Sequence, residues 1–132
     1  MATTTATITL NSSDLTGDAL NLSTTTTLYK AGQTVGLQNT TGMGRTTYAA
    51  AVTDTVLFAD DSYADAGAHK LYIANKATDA THYIEIKIEA VTLGRLYAGD
   101  WMFIPWDADA GTDIKVTTIH AGVVIEYMAI FE

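Results

Sequence analysis

The chain has no cysteine, one proline (Pro105), three histidines, four serines and only seven basic residues against fifteen acidic ones in 132 residues. Without cysteine there is no disulfide framework, no thiolate zinc site and no cysteine nucleophile. The seven Lys and Arg residues are scattered, and a net charge of −8 argues against a phosphate-binding surface, so nucleic acid is not an expected partner. No apolar run approaches the length of a membrane span, and Met1 to Leu10 has neither a basic n-region nor an apolar h-region, so no membrane contact or secretion signal is expected. Ser62 lies in Asp61-Ser62-Tyr63, with no Gly-x-Ser-x-Gly elbow around it. Gly42-Met43-Gly44-Arg45 lacks the third glycine and the helix of a phosphate loop. No catalytic constellation and no cofactor motif emerge, and the chain reads as a non-enzyme.

Threonine is abundant, at 23 residues, and apolar residues make up 48% against 17% charged, which excludes disorder. Thr, Val, Ile, Tyr, Phe and Trp favour the pleated, half-buried setting of a sheet. The clearest strand is Tyr83 to Glu89, with Ile84, Ile86 and Ile88 on one face and Tyr83, Glu85, Lys87 and Glu89 on the other. His69 to Asn75 reads as its hairpin partner. Val91 to Tyr97, Trp101 to Trp106, Ile114 to Ile119 and Val123 to Phe131 follow as strands. Ala6 to Leu10, Ala19 to Tyr29, Gln33 to Leu37 and Thr55 to Ala59 complete the set. Asn39 to Thr47 reads as a turn or exposed loop, and Tyr48 to Val52 is the best short helical stretch. The expected fold is all-β, an antiparallel β-sandwich or jelly-roll-like barrel with little or no helix. Residues 1–132 form one domain on this reading, with 1–12 as an extended N-terminal arm.

Few residues invite a chemical reading. Asp107, Asp109 and Asp113 are weak metal candidates, because the EF-hand pattern fails at Gly111, Thr112 and Thr118. His69, His82 and His120 have no metal-ligand spacing, although His69 and His82 flank the same expected hairpin. Trp101 and Trp106 offer an aromatic platform for sugar rings if they reach the surface. Val123 to Phe131 is apolar on both faces, with Glu126 its only interior charge. Such a strand is either central and covered on both sides, or its second face meets another chain.

Residues 70–132 carry a recognisable series: Leu71-Tyr72-Ile73-Ala74-Asn75-Lys76, then Ala80-Thr81-His82-Tyr83-Ile84-Glu85-Ile86, then Leu93-Gly94-Arg95-Leu96-Tyr97-Ala98-Gly99-Asp100-Trp101-Met102-Phe103-Ile104-Pro105-Trp106. Asp113-Ile114-Lys115-Val116 and Glu126-Tyr127-Met128-Ala129-Ile130-Phe131-Glu132 close it. This half of the chain resembles the C-terminal portion of small virion structural proteins of tailed bacteriophages. The resemblance implies a β-sandwich subunit on the outer capsid surface: a decoration or cement protein bound to the major capsid protein and to itself as a homo-oligomer, first of all a trimer. Assembly contacts are then expected from Ile8 and Leu10 in the arm and from Val124, Met128, Ile130 and Phe131 in the closing strand. The alternatives are a tail, neck or fibre component and a carbohydrate- or host-binding β-sandwich module.

Overall fold

A computed structural model describes residues 3–15, 17 and 19–132. The protein is all-β, with 56% of residues in antiparallel strands and one 3-10 turn at Asp60–Ser62. The chain divides into two compact units at Gln38/Asn39.

The first unit is built on a two-stranded ribbon. Strands β1 (Thr5–Ser12) and β2 (Leu20–Thr27) pair antiparallel from Thr5↔Thr27 to Ser12↔Leu20 without a register shift. Opposed residues share a face. One face therefore carries Ala6, Ile8, Leu10, Leu20 and Leu22 together with Ser12, Thr24 and Thr26; the other carries Thr5, Thr7, Thr9, Asn11, Asn21, Ser23, Thr25 and Thr27. Hydroxyls on the second face bond across the strands, Thr7 Oγ1 to Thr25 Oγ1 at 2.7 Å and Thr9 Oγ1 to Ser23 Oγ at 3.3 Å. The segment expected as an extended arm is thus half of a ribbon, and the chain divides at Gln38/Asn39 where a single sandwich was expected for 1–132. Residues 1 and 2 of that arm lie outside the described residues. Gln33 to Leu37 is not a strand; Tyr29 and Gly36 form one isolated bridge there.

The second unit is a sandwich of two sheets. Its strands are β3 (Asn39–Thr40), β4 (Gly44–Tyr48), β5 (Val52–Phe58), β6 (His69–Asn75), β7 (Tyr83–Ile88), β8 (Val91–Tyr97), β9 (Trp101–Trp106), β10 (Ile114–Thr118) and β11 (Val123–Phe131). One sheet runs β5-β10-β7-β8. The other runs β3-β11-β6-β9, with β4 pairing the other stretch of the β11 edge that β3 occupies. Period-2 alternation drives both inner faces together: Ile84, Ile86, Ile114 and Val116 from one, Leu71, Ile73, Val123, Ile125 and Ala129 from the other, all at 0–1% exposure. The connections β4–β5, β5–β6, β6–β7, β8–β9, β9–β10 and β10–β11 all pass from one sheet to the other. His69 to Asn75 is therefore not the hairpin partner of Tyr83 to Glu89; it pairs with β9 and β11, and the true hairpin is β7–β8. Asn39 to Thr47 forms β3 and β4 instead of an open loop. Tyr48 to Val52 is not helical, because Tyr48 ends β4 and Val52 begins β5.

Two buried polar residues fasten the sandwich. Asn75 is fully buried; its Nδ2 donates to the carbonyls of Leu96 (2.9 Å) and His82 (3.3 Å), and its Oδ1 accepts from the Ala77 N–H (2.9 Å). His69 is also fully buried, with Nε2 against the Ala64 carbonyl at 2.7 Å and Nδ1 accepting from the Glu132 N–H at 3.3 Å. A neutral imidazole protonated at Nε2 satisfies both bonds.

Candidate functional site

The inner faces are filled, so recognition falls to the outer ones. β11 sits mid-sheet, between β3 and β4 on one edge and β6 on the other. Thr41 links the two short strands to it: its N–H donates to the Ala129 carbonyl (3.1 Å) and its Oγ1 accepts from the Ala129 N–H (3.0 Å). With Val123, Ile125 and Ala129 in the core, Val124, Glu126, Met128 and Ile130 point outward. The register sets Met128 beside Tyr72 and Tyr72 beside Phe103; Glu126 lies beside Ala74, and Ala74 beside Trp101. The outer face thus carries an apolar, aromatic patch of partly buried Met128, Ile130, Tyr72 and Phe103, with Lys70 beside Ile130 and Val124 across Glu126. At its border Trp101 is 53% exposed, with its ring 6.4 Å from that of Tyr72 at 36°. Glu126 brings charge to this face, held by Arg45 at 3.1 Å and approached by Lys76 at 4.0 Å.

The expected contact residues divide on this geometry. Val124, Met128 and Ile130 lie together on the outer face. Phe131 does not join them: it has the parity of Val123 and Ile125, turns inward and packs edge-on to Tyr63 at 5.1 Å. Trp106 likewise leaves the expected platform. It lies five residues after Trp101, an odd spacing that puts the two indoles on opposite faces of β9. Trp106 is 5% exposed, packs edge-on to Tyr63 at 5.2 Å and donates from Nε1 to the Thr112 carbonyl at 2.9 Å. Ile8 and Leu10 are exposed on the apolar face of the ribbon, at 37% and 49%.

The acidic loops are stitched by hydrogen bonds. Asp107 Oδ1 accepts from the Ala66 N–H (2.9 Å) and Asp109 Oδ1 from the Ala110 N–H (2.8 Å). Asp107, Asp109 and Asp113 do not converge. Among the described residues the only converging acidic trio is Asp60, Glu89 and Asp113. One oxygen of each carboxylate is engaged: Asp60 Oδ2 accepts from the N–H groups of Gly111 (2.6 Å) and Thr112 (3.0 Å), Asp113 Oδ1 from the Asp60 N–H (2.8 Å), and Glu89 Oε2 from Lys115 (2.6 Å). This is a loop clasp between the β5–β6, β7–β8 and β9–β10 connections.

The histidines pair differently from the expected approach of His69 to His82. His82 stacks on His120, ring centroids 4.4 Å apart at 21°, and Tyr83 meets His120 edge-on at 5.0 Å. No spacing in the sequence signals this pair, because the β6–β7 and β10–β11 connections meet only through the sheet order. Parallel rings aim their nitrogen lone pairs past each other, so the pair is not a metal clamp.

Among the described residues no helix is long and apolar enough to cross a membrane. These features define the class of the second unit: a β-sandwich whose partly open chemistry is an apolar sheet face. Comparison of the chain with protein-family models, curated proteins and solved structures finds no match.

Proposed function

We propose that the chain is a structural, non-catalytic virion protein of a tailed bacteriophage, a capsid decoration or cement protein that binds the outer surface of the major capsid shell. The observation that carries this reading is the outer face of the β11 sheet. Met128, Ile130, Tyr72, Phe103 and Trp101 form an apolar patch of the kind that marks a protein contact, with Lys70 beside Ile130 and Val124 on the far side of Glu126. The resemblance of residues 70–132 to small virion proteins supports the identity of the partner. A homotrimer is the preferred assembly, as the resemblance implies, because threefold sites are common anchoring points on icosahedral shells, and repetition over a symmetric shell multiplies each small contact. The net charge of −8 suits a surface facing away from the packaged genome.

The test is titration of the purified protein onto expanded, empty capsids. Saturable binding at hundreds of copies per particle, with a raised disruption temperature, is the expected result. No binding at micromolar concentration removes the shell reading, and three to twelve copies at one vertex or along the tail places the protein in the neck, tail or fibre. A carbohydrate- or host-binding reading rests on one observation, exposed Trp101 beside Tyr72. Glycan-dependent quenching of Trp101 fluorescence without shell binding would favour it.

A further inference from the structure

From the ribbon we infer that Thr5–Ser12 and Leu20–Thr27 form a self-association element, whose apolar face packs on the same face of another copy of this chain. The inference deepens the assembly reading and rests on it, giving the copy-to-copy contact a place separate from the shell-facing sheet.

Three observations carry it. Ile8, Leu10 and Leu22 stand on one face of the ribbon at 37%, 49% and 45% exposure, whereas the opposite face closes its hydroxyls on itself. A two-stranded ribbon alone in water is marginal, so an exposed apolar face is where it gains stability. The second observation is charge. Neither strand holds a charged residue, and only Asp14, Asp18 and Lys30 among the charged residues precede Asn39. A basic partner would be drawn to the acidic residues 39–132 rather than here. A second copy, itself at −8, is repelled by that acidic unit and meets no like charge at the ribbon. Third, no bulge or register shift interrupts the pairing, so the apolar side chains stay on one face along the whole ribbon.

The size of the surface sets the strength. Eight residues at about 3.4 Å across two strands give a face of roughly 270 Å², so two facing ribbons cover about 540 Å². That is below the ~1,000 Å² of a stable interface, so the association is weak and concentration-dependent in solution.

The experiment is sedimentation and native mass spectrometry of the full chain from micromolar to millimolar concentration, without capsids. The expected mass rises from 14.1 kDa to a multiple of it. The doubly substituted Leu10→Asp, Leu22→Asp chain is expected to stay at 14.1 kDa over the same range, with the far-UV spectrum of the sandwich retained. Thr7→Lys, Thr25→Lys, on the hydroxyl face, is expected to associate as the unsubstituted chain does. A monomer throughout, with the apolar face covered by the chain's own body or left bare, overturns the inference. So does association that survives the Asp substitutions, or is lost equally with the Lys ones. Because no shell is present, loss of ribbon pairing and loss of shell binding are read separately.

Discussion

Asn75 and the two tryptophans show how single side chains divide between holding the fold and facing outward. Asn75→Ala leaves the Leu96 and His82 carbonyls and the Ala77 N–H without their buried partner. At about 1–3 kcal/mol for each buried group left unpaired, a loss of several kcal/mol is expected, read as a lower midpoint in urea unfolding. Trp106→Ala empties a core position and should cost about 3–5 kcal/mol. Trp101→Ala, on the exposed rim, should change stability by no more than about 0.5 kcal/mol while weakening shell binding. The contrast tests the face assignment: equal destabilisation by the two changes would contradict it. The odd spacing of the indoles was legible in the sequence, and grouping both on one platform ignored it. The three bonds of Asn75 were not legible, since they depend on which loops the sheet order brings together.

At the scale of strands, the outward side of the β5-β10-β7-β8 sheet is held by cross-strand ion pairs, Lys87 to Asp54 at 2.7 Å and Lys115 to Glu89 at 2.6 Å. The Lys87 hydrogen bond, with smaller help from its charge, from Thr117 and from Lys115, holds the Asp54 carboxyl below its ordinary 3.8. The Thr81 hydroxyl and N–H do the same for Asp79. Glu89 raises the Lys115 ammonium above 10.5. A carboxyl depressed in the folded state stabilises above its unfolded value and loses that contribution as pH falls through the folded one. An ammonium that is raised stabilises below its unfolded value and loses the contribution as pH rises through the folded one. The melting temperature should therefore fall below about pH 4 and again above about pH 10.5, with a plateau between. Asp54→Asn should make the acid limb shallower. It should not strain the backbone at φ 48°, where Asn and Asp are the best tolerated of side-chain-bearing residues.

The β11 sheet offers the complementary test. Val124→Asp or Met128→Asp places a charge on the partly open outer side and should leave the far-UV spectrum intact while abolishing binding to shells. Unfolding would mean instead that this side is core. The alternation inside each strand was readable because burial follows period 2. The pairing of strands was not, because six connections cross between sheets and sequence neighbours then cease to be sheet neighbours. β4 was missed because Gly42 and Gly44 made Asn39 to Thr47 read as a turn or exposed loop. Yet Gly44 is required there by the Tyr127 ring, which lies 2.7 Å from where a Cβ would stand.

For the molecule as a whole, the contiguous core runs from Phe58 to Ala129, and both sheets of the sandwich begin at or after Asn39. Among its described residues the first unit holds two buried large apolar side chains, Leu28 and Leu37, neither of them in the ribbon. A core drawn from eight strands, β4 to β11, supports cooperative folding, whereas one two-stranded ribbon does not. Residues 39–132 expressed alone should melt in a single cooperative transition with a β-type far-UV spectrum. Residues 1–38 alone should show no cooperative transition at any temperature. If 39–132 is instead unfolded at room temperature, the chain is one cooperative domain from end to end, and the ribbon is a structural part of the sandwich. If it folds, the neutral ribbon is an appendage on a stable acidic body. Its deletion should then remove association between copies while leaving the shell-facing sheet able to bind.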